Sequence, residues 1–260
     1  MIGTRGVDLS CSPVNHYRCR VTASLLSGVR AVLFDLDGVL TPTADVHMRA
    51  WEQLFRGVLR NHEPQPAYTD EDYFAHVDGK PRYDGVRDLL TARGITLPEG
   101  SPDDSPDLET VCGLGNRKNV LFTAILQAEG VQAYPGSMAF LDALDERGTA
   151  VAVVSSSRNA PAVLAAAGIA DRFEVVVDGA LAGRLGLAGK PAPDTFVHAA
   201  EQLGVPVNGC AVIEDAVSGV RAGRAGGFAL VVGVDRGAGE QGLRDAGADV
   251  VVRDVAELMT

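Results

Sequence analysis

Residues 31–43 read AVLFDLDGVLTPT. Ala31 to Phe34 form a short apolar run of the kind found in strands buried on both faces. Asp35 and Asp37 follow one residue apart, and Gly38 comes next. Neighbouring carboxylates repel, so a buried strand that ends on two of them calls for an opposite charge at the same place. An Asp-Gly pair alone is an ordinary turn former, and an Asp after a strand often caps a helix. Its meaning here depends on what the rest of the chain brings beside it.

Working outward, further short apolar runs lie at 149–154, 174–177, 210–213, 228–232 and 249–252, each bounded by Gly, Asp or Ser. Between them lie helical patterns such as NAPAVLAAAGI (159–169) and PDTFVHAAEQLG (193–204). Strand–helix alternation predicts an α/β fold with a parallel, doubly wound sheet and crossover connections. Residues 47–132 have another texture. In HMRAWEQLFRGVLR (47–60), Trp51, Leu54, Phe55, Val58 and Leu59 share one helical face, and in NVLFTAILQAEG (119–130) Leu121, Ala124, Ile125 and Ala128 do the same. GSPDDSPD (100–107) reads as loop. The expected organisation is a tail over 1–28, a catalytic α/β core over 29–46 and 133–260, and a helical cap domain inserted at 47–132.

Composition narrows the partners. The formal net charge is −11, which disfavours nucleic acid or an anionic membrane surface. It leaves room for small phosphorylated substrates, because local Lys and Arg can reverse the field in a cleft. No apolar run approaches the roughly 20 residues of a membrane helix, and the N-terminal stretch lacks a secretory core. Cys11, Cys19, Cys112 and Cys210 fit no metal spacing and read as reduced thiols. The expectation is a cytoplasmic monomer.

In open parallel sheets, ligands sit beyond the carboxyl ends of the strands. Asp35 and Asp37 follow the first strand, Ser155, Ser156 and Ser157 the second, and Glu214 and Asp215 the run CAVI. Lys190 lies in AGKPAPD, just ahead of a helix. If these converge, four carboxylates share one edge, and a divalent cation such as Mg²⁺ relieves their repulsion. Carboxylates, a cation, a lysine and hydroxyl donors together suit phosphoryl transfer.

FDLDGVLT (34–41), VVSSS (153–157), GKPAPD (189–194) and IEDAVSG (213–219) resemble, in order, the four motifs of the haloacid dehalogenase superfamily. The resemblance implies a Rossmann-like core. It implies Asp35 as the nucleophile that forms an aspartyl-phosphate, Asp37 as general acid/base, and Ser155 and Lys190 on the transferring phosphoryl group. Mg²⁺ would be held by Asp35, the Asp37 carbonyl and Asp215, with Glu214 assisting. A closer likeness is to the β-phosphoglucomutases. GVLTPTADVHMRAW (38–51) is similar to that family's start, which places Thr43, His47 and Trp51 at the substrate, although Trp51 also fits the apolar face. By the same likeness His47 would sit at the hinge and align the acceptor hydroxyl with Asp37. VDGKPRYDG (77–85) resembles the family's substrate-specificity loop, with Gly79, Lys80 and Arg82 toward substrate and Arg82 on the non-transferring phosphate. NRKN (116–119) puts Lys118 in the site, and SSSRNAP (155–161) adds Ser156, Ser157, Arg158 and Asn159. Pro42 and Asp78 depart from the family pattern, which commonly has Asp and Lys there. The implied activity is interconversion of β-glucose 1-phosphate and glucose 6-phosphate through a bisphosphate. The alternatives are a sugar-phosphate phosphatase on the same scaffold and a non-catalytic phosphosugar-binding regulator. A pure binder has no need of the nucleophile.

Overall fold

The computed structural model describes residues 25–62 and 64–259, so Cys11, Cys19 and most of the expected tail lie outside the described residues. Six parallel strands form one sheet in the order β3-β2-β1-β4-β5-β6. They are β1 Ala31–Phe34, β2 Ala150–Val154, β3 Val175–Val177, β4 Cys210–Glu214, β5 Leu230–Val234 and β6 Val250–Val252. The doubly wound α/β expectation is met. One strand is displaced from its apolar run: β5 begins at Leu230, because Phe228 leaves the sheet to pack edge-on against Phe196.

Alternation along β1 separates the two layers. Val32 and Phe34 face one core with Phe140, Leu144, Val163 and Leu164, while Ala31 and Leu33 face the other with Phe196, Ala199, Val220 and Leu243. Leu33 and Phe34 are fully buried, and each stabilises the fold by about 1.5–3 kcal/mol relative to exposure. The chain reverses its direction of travel across the sheet at β1, so β1 marks the switch point. Leu26, ahead of β1, also packs into the first core.

Between β1 and β2 the described chain is helical: α1 Thr43–Arg60, a short helix Asp70–Asp72 running into a π-helical turn Tyr73–Val77, α2 Arg82–Ala92 and α3 Val111–Glu129. These elements bury their own cluster, built on Trp51, Leu54, Phe55, Val86, Leu89 and Leu114. Thr110 caps α3, its hydroxyl accepting from the Gly113 amide at 2.9 Å. Arg49 clamps Glu129 through two bonds of 2.6 and 2.7 Å, tying the start of α1 to the end of α3. The later helices of the core are α4 Pro135–Glu146, α5 Ala160–Ala166, α6 Gly179–Leu185, α7 Asp194–Gln202, α8 Val217–Ala225 and α9 Glu240–Ala246.

Candidate active site

The carboxyl ends of β1, β2 and β4 meet beneath the helical insert. Lys190 is buried there, and its ammonium donates to Asp35 Oδ1 and Glu214 Oε1, both at 2.5 Å, and to the Val154 carbonyl at 3.0 Å. All three of its protons are therefore placed. Asp35, Glu214 and Asp215 bring one carboxylate oxygen each within 4.8 Å of one another. Burial pushes the carboxyls of Asp35 and Asp215 well above the usual range, on Asp35 against the pull of Lys190. Burial works against the Lys190 charge, but Asp35 and Glu214 outweigh it and hold the ammonium. One ammonium among these carboxylates leaves an excess of negative charge out of water. A hard divalent cation with oxygen ligands fits that donor set, and Mg²⁺ is of that kind.

Asp37 points into the same cleft from the loop after β1. Thr43 donates its hydroxyl to Asp37 Oδ1, and Thr41 stands 2.7 Å behind Thr43. Thr43 is placed differently from the sequence expectation. It is fully buried and acts on Asp37 rather than lining the cleft. His47, on the first turns of α1, has its Nε2 3.4 Å from Asp37 Oδ2, without the alignment of a hydrogen bond. The His47 ring stacks on Phe122 at 4.1 Å, and its Nδ1 meets the Lys118 ammonium. When Lys118 carries its proton it can only donate, so Nδ1 then accepts and the ring proton sits on Nε2, facing Asp37. Burial and Lys118 push His47 down, against the pull of Asp37. Burial alone would raise Asp37, but His47, Thr43 and Lys118 outweigh it and hold the carboxyl below the usual range. The His47 ring is uncharged at neutral pH, so it acts on Asp37 through its N–H dipole.

The opposite wall comes from the insert. Gly79, Lys80 and Arg82 line the cleft with Trp51 and Lys118, as do Ser155, Ser156, Ser157 and Asn159 from the core. Lys118 lies between the Trp51 and Phe122 rings, at 4.9 and 5.0 Å, and burial lowers it to about 7. Lys80 bonds Asp88 at 2.7 Å, whereas Arg82 has no carboxylate partner among the described residues. Arg158 lines a larger neighbouring cavity of about 820 Å³, which shares Asp78, Lys80, Arg82, Ser155 and Ser156 with the cleft. Arg82 and Arg158 both approach the Tyr83 ring, at 6.0 and 5.5 Å.

Insert and core touch through few, specific bonds. Ser156 donates to the Gly79 carbonyl at 2.8 Å, Ser218 to the Asp78 carbonyl at 3.0 Å, and Asn159 to Asn119 at 2.7 Å. The cleft itself holds about 70 Å³ and is continuous with the larger cavity through their shared lining.

Sequence reasoning missed Tyr73, Ala44, Val77 and Asn119, which also line the cleft. Asn119 closes the NRKN stretch; the others carry no chemical signal and are brought in by the packing of the insert. Asp78, read only as a departure, lines the cleft, and burial raises its carboxyl to about 7.

A buried carboxylate after β1, a lysine and serine from later loops, and a paired acidic group after β4 define a phosphoryl-transfer site on a doubly wound sheet. A family model for haloacid dehalogenase-like hydrolases matches residues 29–227, and the chain belongs to that family, on its β-phosphoglucomutase branch. The chain is 51% identical over 241 residues to a β-phosphoglucomutase of Mycobacterium bovis, covering 89% of this chain and 92% of that one. It is 32% identical over 231 residues to a β-phosphoglucomutase of Bacillus subtilis, covering 88% and 92%. Among solved structures, a β-phosphoglucomutase of Clostridium difficile superposes with a TM-score of 0.71 at 25% identity, covering 88% of this chain and 93% of that chain.

Proposed function

We propose that this chain is a Mg²⁺-dependent β-phosphoglucomutase that interconverts β-glucose 1-phosphate and glucose 6-phosphate. The observation that carries the reading beyond the family is a cleft with two cationic ends. Lys190 and Ser155 stand at the Asp35 end, and Arg82 and Lys118 stand at the other, with no carboxylate partner for Arg82 among the described residues. A phosphatase needs only the first end. A mutase must hold a bisphosphate by both.

In the proposed cycle glucose 1,6-bisphosphate first charges the enzyme: a carboxylate oxygen of Asp35 bonds to phosphorus as the P–O bond to the sugar breaks, and a glucose monophosphate leaves. Asp37, protonated for that step, gives its proton to the departing sugar oxygen. In the reverse sense Asp37 takes the proton of the attacking sugar hydroxyl, and the phosphoryl group passes from Asp35 to that oxygen. The bisphosphate then turns end for end, and the second phosphate meets Asp35. Asp35, the Asp37 carbonyl, Glu214 and Asp215 would hold Mg²⁺, which neutralises charge on the phosphoryl oxygens. Lys190 fixes Asp35 and compensates the same charge. The helical insert acts as a cap: closed, it excludes water that would otherwise compete for the aspartyl-phosphate.

Arg82→Ala tests the two-ended reading. Isomerisation should lose about 2–4 kcal/mol of transition-state binding in kcat/KM. Hydrolysis of a small phosphate ester with no second anion should change much less. Equal losses would make Arg82 a general support of the fold, and no loss in either would favour the phosphatase.

A further inference from the structure

The loop after β5, Asp235–Gly239, belongs to none of the motifs discussed above, yet it touches both the first motif and the cap. Arg236 Nε donates to the Gly38 carbonyl at 2.8 Å. The Arg236 guanidinium lies 4.2 Å from the centre of the Tyr134 ring, and the Tyr134 amide donates to the Leu40 carbonyl at 2.9 Å. Gly38 is confined from another quarter as well. Its φ is +84°, its amide donates to Thr41 O at 2.7 Å, and a Cβ there would fall 1.9 Å from Asp215 Oδ2. Gly38, the residue that follows Asp37, is thus confined between an arginine on its carbonyl and a proposed metal ligand against its Cα.

The loop itself is stiff. Asp235 Oδ1 accepts from the amides of Gly237 and Gly239, both at 3.0 Å, and the Asp235 amide bonds Val252 O at 2.8 Å. On its outer side Gly237 carries the cap: a Cβ there would lie 2.9 Å from Phe74 Cζ. Phe74 packs edge-on against Tyr73, a wall of the cleft. Arg236 Nη2 is buried without a partner among the described residues. Retaining a guanidinium with one buried donor unsatisfied is costly. A lone hydrogen bond in a turn would not repay that cost; a constraint on Asp37 gives it a use.

We propose that Arg236 is a positioning residue for Asp37, holding the Asp37–Gly38 turn in register, and that Phe74 on Gly237 links this hold to cap closure. The proposal rests on Asp37 as the group that moves the proton. It concerns that step; a shift of the Asp37 carbonyl as a metal ligand would instead slow both reactions of the test alike.

The test uses Arg236→Met, which keeps the stem over Tyr134 and removes the donor. Pre-steady-state release of 4-nitrophenolate from 4-nitrophenyl phosphate reports formation of the Asp35–phosphate bond alone, because the phenolate leaves with its electron pair and takes no proton. Release of the alcohol from a simple alkyl phosphate requires a proton from Asp37. The alkyl burst should slow by about tenfold or more, and the nitrophenyl burst by less than about twofold. The nitrophenyl burst also certifies that the variant folds. Arg236→Lys, which can still reach the carbonyl, should recover most of the alkyl rate, and Phe74→Ala should reproduce the contrast in weaker form. Equal slowing of both bursts, or of neither, overturns the positioning role. Phe74→Ala indistinguishable from wild type overturns the link to the cap. Neither burst depends on whether the phosphoryl group ends on sugar or water, so failure of the mutase reading would show separately.

Discussion

Lys190 and Lys118 are two buried lysines of opposite character. Lys190 is held charged by Asp35 and Glu214, whereas Lys118 sits among rings and is lowered to about 7. The first keeps its charge beside Asp35; the second gives up its proton near neutral pH, and an anion beside it would favour the charged form. Folded Lys118 releases its proton at lower pH than the unfolded chain does. Unfolding therefore takes up a proton between about pH 7 and the ordinary lysine value, and the stability of the ligand-free enzyme should rise with pH across that window. Phosphate binding runs the other way, because the dianion favours the ammonium. Affinity for glucose 6-phosphate, measured by calorimetry, should fall as pH climbs above 7. Asp78 becomes anionic over the same range and adds to the fall. Lys118→Arg and Asp78→Asn should each flatten part of the profile, and an unchanged profile in both would remove these groups from the site. At Asp35, substitution by Asn removes the attacking anion but still accepts from Lys190, while Glu214 keeps its charge. Turnover should drop by several orders of magnitude with little change in melting temperature. Near-native turnover would rule out the aspartyl-phosphate.

At the scale of elements, the strands and their terminal groups were legible because each carries its signal locally. Asp35, Ser155 and Asp215 each follow an apolar run, and parallel pairing does the rest. The long helices α1 and α3 were legible from their apolar faces. What was not legible depends on how the insert lies on the core. Tyr73 and Val77 reach the cleft through a π-helical turn that no periodicity announces, and Arg236 reaches the Gly38 carbonyl from a loop that reads as surface. Thr43 reads in the sequence as a substrate contact because it stands beside cleft-lining residues; only the depth of the α1 start shows that it bonds Asp37. Gly79 is the element-scale test of cap seating. Its φ is +68°, and a Cβ would fall 2.3 Å from Ser218 Oγ and 2.7 Å from Ala216 Cβ. Gly79→Ala should hold the cap loop off the core, depress isomerisation about tenfold or more, and raise the share of product released as free phosphate. Product ratios by enzymatic assay check this; an unaltered ratio would mean that the cap closes by another contact.

Over the whole molecule a net charge of −11 surrounds a cleft that must receive dianions. In the proposed cycle the acidic cluster at the sheet edge and the cations of the insert divide that task, with a bound cation making the cluster compatible with phosphate. Mg²⁺ should raise the melting temperature of the ligand-free enzyme saturably, through relief of the Asp35, Glu214 and Asp215 repulsion. Excess chelator should abolish turnover, and Ca²⁺, with its larger and looser shell, should restore little of it. Full turnover in chelator would exclude the cation. The central claim, that the aspartyl-phosphate is passed to a sugar rather than to water, is open to one direct measurement. β-Glucose 1-phosphate is supplied with Mg²⁺ and a trace of glucose 1,6-bisphosphate, and glucose 6-phosphate and free phosphate are followed in the same sample. Glucose 6-phosphate accumulating far ahead of phosphate is the predicted result; phosphate released in step with substrate loss, with no glucose 6-phosphate, would contradict it.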